Sequence, residues 1–155
     1  MTRIVGDGRD EQYMRLALER AAAAAEHDDV PIGAVVVRNG EVIGAAGNER
    51  ELRQDPTAHA ECLAIRAASL TLGGWRLVGA ELYCTLEPCP MCAGAIQQAR
   101  IGRVIYGAPD QKIGAAGTVI DLLRSPRMLQ RVQVTPGVLA AESQELLRSF
   151  FASRR

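Results

Sequence analysis

Residues 81–108 contain two strand-like apolar runs, ELYCTL and GRVIYGA, with one helical run, PMCAGAIQQA, between them. Strands joined through a single helix do not form a hairpin; they lie parallel, and the crossover is right-handed. A parallel pair needs helices over its faces, so this unit points to an α/β architecture. Upstream, IGAVVV and EVIGAAG flank Arg38-Asn39-Gly40, and Asn-Gly between two such runs predicts a tight antiparallel hairpin.

Met14, Leu18, Ala21 and Ala25 recur at helical spacing and predict a helix over about 10–27. Asp55-Pro56-Thr57 supplies a cap and a first-turn proline for a helix over about 57–70. Further helices are expected near 118–124 and 139–152, and NERELRQ reads as a polar connection. The expected fold is a three-layer α/β/α domain around a mixed sheet of about five strands. The 155 residues show no repeat, low-complexity linker or composition break, so residues 1–155 read as a single domain.

No apolar run approaches the roughly 20 residues that span a bilayer. The N-terminal MTRIVGDGRDEQ lacks the apolar core of a signal peptide, which makes the cytoplasm the expected compartment. Formal net charge is zero, so no global positive field draws the chain to nucleic acid, and RNA binding would need a local patch. The C-terminal LLRSFFASRR offers one, with Arg148, Arg154 and Arg155 around Phe150 and Phe151; composition alone reads it as a solvated helix end.

Cys62 and Cys84 sit in apolar runs and read as small buried hydrophobes, whereas Cys89 and Cys92 have metal-ligand spacing at the start of a helix. His59 opens the helix at 57–70, and Glu61 follows two residues later. Residues two apart on a helix do not share a face, so Glu61 is not expected to be a sister ligand of His59. Zinc takes imidazole nitrogen and thiolate sulfur tetrahedrally, and His59, Cys89 and Cys92 supply three ligands. Three protein ligands leave a position for water, the pattern of catalytic rather than structural zinc. Helix N-termini favour the thiolate form of both cysteines. His27 lies outside the set and reads as an exposed residue near a helix end.

Taken singly these features are ordinary: a lone histidine is usually a core or surface residue, and Cys-x-x-Cys also serves as a redox pair or half a structural zinc site. The combination of His-x-Glu with Pro-Cys-x-x-Cys is more specific, because it matches the signature of zinc-dependent nucleobase deaminases.

From about residue 10 to its end the chain resembles the bacterial tRNA-specific adenosine deaminases (the TadA type) of the cytidine-deaminase-like superfamily. The segments that carry the resemblance are VPIGAVVV, Asn48, DPTAHAE, TLEPCPMCAGA, RIGRVIYGAPDQKIGAAG and SFFASRR. It implies hydrolytic deamination of adenosine to inosine at the wobble position of a tRNA anticodon, with arginine tRNA the expected substrate. One zinc ion per subunit, held by His59, Cys89 and Cys92, would activate the water, and Glu61 would carry a proton to N1 and then to the departing amine. Asn48 matches the asparagine that hydrogen-bonds the flipped base, and the backbone near Ala60 and Cys89 matches groups around the reacting centre. Asp110 and Lys112 match a loop beside the target nucleotide. Phe150, Phe151, Arg154 and Arg155 match a terminal helix that meets the anticodon loop. A homodimer is implied, with no membrane partner and no organic cofactor. Glu49-Arg50 departs from the basic residue and proline of many relatives, which implies a different loop shape there. The end at SRR, short of the basic tail of some relatives, implies modest RNA affinity. A deaminase of a free nucleobase or nucleoside, using the same zinc site, is the alternative, and a non-catalytic zinc-binding RNA module would have no use for Glu61.

Overall fold

The computed structural model describes residues 8–154. Helix α1 (Gly8–Ala25) leads into the hairpin β1 (Gly33–Arg38) and β2 (Glu41–Gly47). A short α2 (Arg50–Arg53) and α3 (Ala60–Leu72) follow, then β3 (Ala80–Leu86), α4 (Pro90–Ala99) and β4 (Arg103–Ala108). Strand β5 (Gln133–Thr135) and α5 (Ala140–Ala152) complete the order. The sheet runs β2-β1-β3-β4-β5; β1 is antiparallel to β2 and β3, while β3, β4 and β5 are parallel.

The period-2 alternation of strands sorts side chains to two cores. Ala34, Val36, Leu82, Cys84 and Val104 face α3 and α4, whereas Val35, Val37, Tyr83 and Ile105 face α1. α5 packs beside α1 on that second face, and three layers result. The helices lie unusually close to the sheet because small residues meet across the contact. A Cβ on Gly33 would fall 1.9 Å from the Ala17 carbonyl oxygen, and one on Gly44 would fall 2.3 Å from that of Ala64. Ala17, Ala21, Ala60, Ala64 and Ala68 are fully buried on the helix side. At the hairpin tip, Asn39 and Gly40 both take positive φ (52° and 77°), as a type I′ turn requires.

Several expectations are corrected. Residues 118–124 form no helix: Ala116 bridges Asp121, the Asp121 carboxylate accepts the Leu123 and Arg124 amides, and Glu87 accepts the Thr118 amide. Side chains take the donors that a helix would have used. The fifth strand, β5, lies instead at 133–135, too short for its alternation to be read. The helix at 57–70 starts later, at Ala60, with His59 extended before it (φ −73°, ψ 148°). Asp55 does not cap it; its carboxylate accepts the Thr57 amide and hydroxyl at 2.8 and 2.7 Å. The polar NERELRQ stretch contains α2.

Candidate metal centre and base-sized cavity

α3 and α4 both begin at the same end of the sheet, and each is preceded by an extended residue that turns a side chain inward: His59 before α3 and Cys89 before α4. Pro90 at the first position of α4 costs no hydrogen bond and presets the helical φ. Cys92 then points back from the first turn. The ligand atoms of His59, Cys89 and Cys92 all lie within 4.8 Å of one another. His59 Nδ1 is 3.6 Å from Cys89 Sγ and 3.5 Å from Cys92 Sγ. Tetrahedral zinc, with bonds of roughly 2.0–2.1 Å to nitrogen and 2.3 Å to sulfur, separates such atoms by about 3.6 Å. The donor set and its spacing therefore fit zinc, and among the described residues no other cluster of this kind occurs.

One of the two thiols is already biased toward the ligand state. A hydrogen bond from Cys92, reinforced by His59, lowers the pKa of Cys89 to about 4. Cys92, hydrogen-bonded to Cys62 and Cys89 and buried, holds its proton instead. The Cys89 thiolate in turn raises the pKa of His59. Cys62 departs from its expected role: it is half-buried, and its Sγ lies 3.8 Å from Cys92 Sγ, against the metal centre.

A cavity of about 170 Å³ opens beside the ligands, lined by Asn48, Arg50, His59, Glu61, Glu87 and Asp110 among others. Glu61 is 4% exposed, and burial raises its pKa to about 7. Asn48 is also buried, its amide donating to the Val30 carbonyl at 3.2 Å and its oxygen accepting the Arg50 amide at 3.2 Å. Ala60 lines the cavity as well. The structure thus brings His59, Ala60, Glu61, Cys89, Asn48 and Asp110 to one space, with Cys92 behind His59.

The remaining predicted residues stand apart. Lys112 is exposed and outside the cavity, its amide donating to Asp110 Oδ1 at 2.9 Å. Phe150 is buried, packed edge-on against half-exposed Phe151 at 5.3 Å. Arg154 covers the Phe150 ring at 3.5 Å and pairs with Asp28 at 2.6 Å. Only Phe151 of the two rings is open to a stacking partner. Arg155 lies outside the described residues.

Residues 9–155 match the MafB19-like deaminase family. A tRNA-specific adenosine deaminase of Bacillus subtilis (strain 168) is 49% identical over 147 residues, 95% of this chain and 91% of that protein. The chain belongs to the tRNA-specific adenosine deaminase family. A solved structure from studies of A-to-I editing by tRNA:A34 deaminases at the wobble position superposes on this deaminase with a TM-score of 0.84 and 48% identity, over 88% of this chain and 99% of that one. A guanine deaminase from Nitrosomonas europaea is more distant, at TM-score 0.78 and 27% identity over 97% of this chain and 87% of its own. The three-layer domain is therefore of the cytidine-deaminase-like kind, with its mixed five-stranded sheet.

Three buried carboxylates of this deaminase, Asp10, Asp29 and Glu87, escaped the sequence reading. Glu87, 2% exposed, accepts the amides of Asp110, Ala116 and Thr118 at 3.0–3.1 Å and the Thr118 hydroxyl as well. A Cβ on Gly114 would fall 2.5 Å from the Glu87 carboxyl carbon, so glycine is needed where the loop wraps it. Asp29, fully buried, accepts the Glu51 and Leu52 amides at 2.6 and 3.1 Å and thereby caps α2. His27 is not a free surface residue; its Nδ1 meets Asp29 Oδ2 at 2.7 Å. The one sequence signal for Glu87 was its place between the strand ELYCTL and Pro88-Cys89.

Proposed function

We propose that this protein hydrolyses the C6 amine of adenosine at the wobble position of a tRNA anticodon, arginine tRNA being the expected substrate, to give inosine and ammonia. The observation that carries the reading is the zinc-spaced His59, Cys89 and Cys92 beside a cavity lined by the buried carboxylate of Glu61. The choice of substrate rests on relatives 48–49% identical over most of the chain. A cavity of about 170 Å³ suits a single base taken out of the RNA chain better than a larger ligand.

Zinc, when bound, supplies Lewis acidity that brings water toward ionisation near neutral pH. Glu61 is the proton carrier: with a pKa of about 7 it accepts and releases a proton at working pH, which is what general acid–base catalysis requires. It takes one proton from the attacking water and gives it to N1, then takes the proton left on the C6 hydroxyl and gives it to the amine as the C6–N bond breaks. Asn48, already fixed by Val30 and Arg50, holds the base edge, and the backbone at Ala60 and Cys89 lines the reacting centre. Asp110 and Lys112 face the nucleotides beside the target, and Phe151 offers a stacking face with Phe150, Arg154 and Arg155 behind it. Residues 1–155 act as one domain in a homodimer in the cytoplasm. In support, all four cysteines are unpaired, and no helix among the described residues is long and apolar enough to cross a membrane.

The test is inosine formation by the zinc-loaded protein on an anticodon stem-loop with adenosine at the wobble position, with free bases and nucleosides in parallel. Inosine in the stem-loop alone is the expected result. Turnover of free guanine or cytosine alone would move the protein to the second reading, which the 27% identical guanine deaminase keeps in view.

A further inference from the structure

On the other side of the Asn48–Arg50 segment from the cavity lies an open groove of about 490 Å³, bounded by α1, the edge strand β2, and α3. Arg20, Arg53 and Arg66 line it, and Glu49, paired with Arg53 at 3.4 Å, is its one acidic lining residue. Among the described residues, the side chains of Arg20 and Arg66 make no hydrogen bond or ion pair, though the exposed Asp55 carboxylate feels the charge of Arg66. We propose that this groove seats the sugar–phosphate backbone of the RNA that flanks the nucleotide in the cavity. The inference rests on the tRNA reading above.

Three observations converge on a polyanion. The first is the distribution of charge. A chain of zero net charge must bind RNA through cations not already engaged, and several candidates are engaged. Arg154 is paired with Asp28, Arg148 with Glu145, Arg124 with Asp121, and Arg103 with Asp10 and Glu81. Arg20 and Arg66 are not, and they share one groove. The second is continuity: Asn48 and Arg50 line the cavity and Glu49, between them, lines the groove, so a chain leaving the cavity past this segment enters it. The third is the edge-strand side of the groove, lined by the small residues Ala45, Ala46 and Gly47, the one ring in the lining being the His27 imidazole. Small residues admit a backbone closely, and with the His27 ring tied to Asp29 the contact there is to phosphate and independent of sequence.

The test compares the full-length, zinc-loaded parent with an Arg20→Ala/Arg66→Ala variant and an Arg20→Lys/Arg66→Lys variant. Stem-loop KM and Kd are measured from low to moderate salt, with sedimentation run on each protein. Each phosphate contact contributes about 0.7–0.9 to the slope of log K against log salt, so losing two contacts makes the slope shallower by about 1.4–1.8. The alanine variant is expected to show that change, in KM rather than kcat, and the lysine variant to recover most of it. Unchanged slopes overturn the proposal, as does a lysine variant that behaves like the alanine one, since the arginines would then act by packing. An alanine variant that alters the oligomeric state places the groove between copies of the chain and equally overturns it. A parent that makes no inosine in the stem-loop refutes the tRNA reading instead, which separates the two failures.

Discussion

Glu61 and Glu87 stand at the same cavity, are 4% and 2% exposed, and behave as opposites. Glu87 meets three backbone amides and a hydroxyl, so both of its oxygens are used in holding the loop at 110–118. At Glu61 only its own amide, His59 and the Cys92 thiol offset the cost of burial, which leaves its pKa near 7. Burial with a full set of donors ties a carboxylate into the structure; burial without them raises its pKa and suits it to proton transfer. The two walls of the pocket therefore divide the work, one toward chemistry and one toward shape.

The largest expected effect breaks the first half of that contrast. Glu61→Ala should lower deamination of the stem-loop by about 10²–10⁴-fold while zinc content, read by atomic absorption, stays at one per chain. A near-parental rate would remove Glu61 from the proton path. His59→Ala is the control that should lose the metal itself.

Next is Glu87→Gln. The amide keeps one acceptor oxygen but turns an NH2 group toward backbone N–H donors, so at least one buried donor goes unmatched. Unfolding free energy should fall by about 1–3 kcal/mol, and hydrogen exchange should accelerate at the Asp110, Ala116 and Thr118 amides. Parental protection there would show that the loop is held by something other than Glu87. Glu61→Gln should move the other way. In metal-stripped protein above pH 7, it replaces a poorly compensated buried charge with a neutral isostere. A gain of about 0.5–2 kcal/mol is expected, visible as a raised Tm. Opposite signs from one chemical change at two equally buried glutamates would establish the contrast directly.

These two residues also mark what could be read in the chain. The His59, Cys89 and Cys92 cluster with Glu61 beside it was traceable because each half of the motif is local: three residues at the start of α3, four at the start of α4, each with a proline close by. The hairpin was legible for the same reason, in Asn39-Gly40. Glu87 was not, because its donors lie 23–31 residues downstream and its place before Pro88-Cys89 says nothing of them. The apolar VIDLL of residues 119–123 looked helical for want of that information, since its backbone is governed by Glu87 and Asp121. Gln97, buried on α4, continues the same pattern, donating to the Leu122 and Gln130 carbonyls and accepting the Gln130 amide. The short α2 was missed likewise, its cap Asp29 lying 22 residues before Glu51. Structure held by distant side chains leaves no periodicity to find.

The smallest effect sharpens the rule with a third buried carboxylate, away from the cavity. Burial raises the pKa of Asp10, but hydrogen bonds from Arg103 and Tyr83 outweigh it and hold the group below the ordinary aspartate value. Arg103 Nη2 lies 2.7 Å from Asp10 Oδ2, and the Tyr83 hydroxyl donates to Oδ1 at 2.7 Å. The folded pKa is depressed, so the stabilisation is complete above the unfolded value of about 3.9 and is lost as pH falls through the folded one. Chemical denaturation should therefore show parental stability declining below about pH 4, with Asp10→Asn less stable at pH 7 and flatter across that acid range. An Asp10→Asn curve parallel to the parent would mean that donors do not set the behaviour of a buried carboxylate here, and the contrast between Glu61 and Glu87 would need another cause.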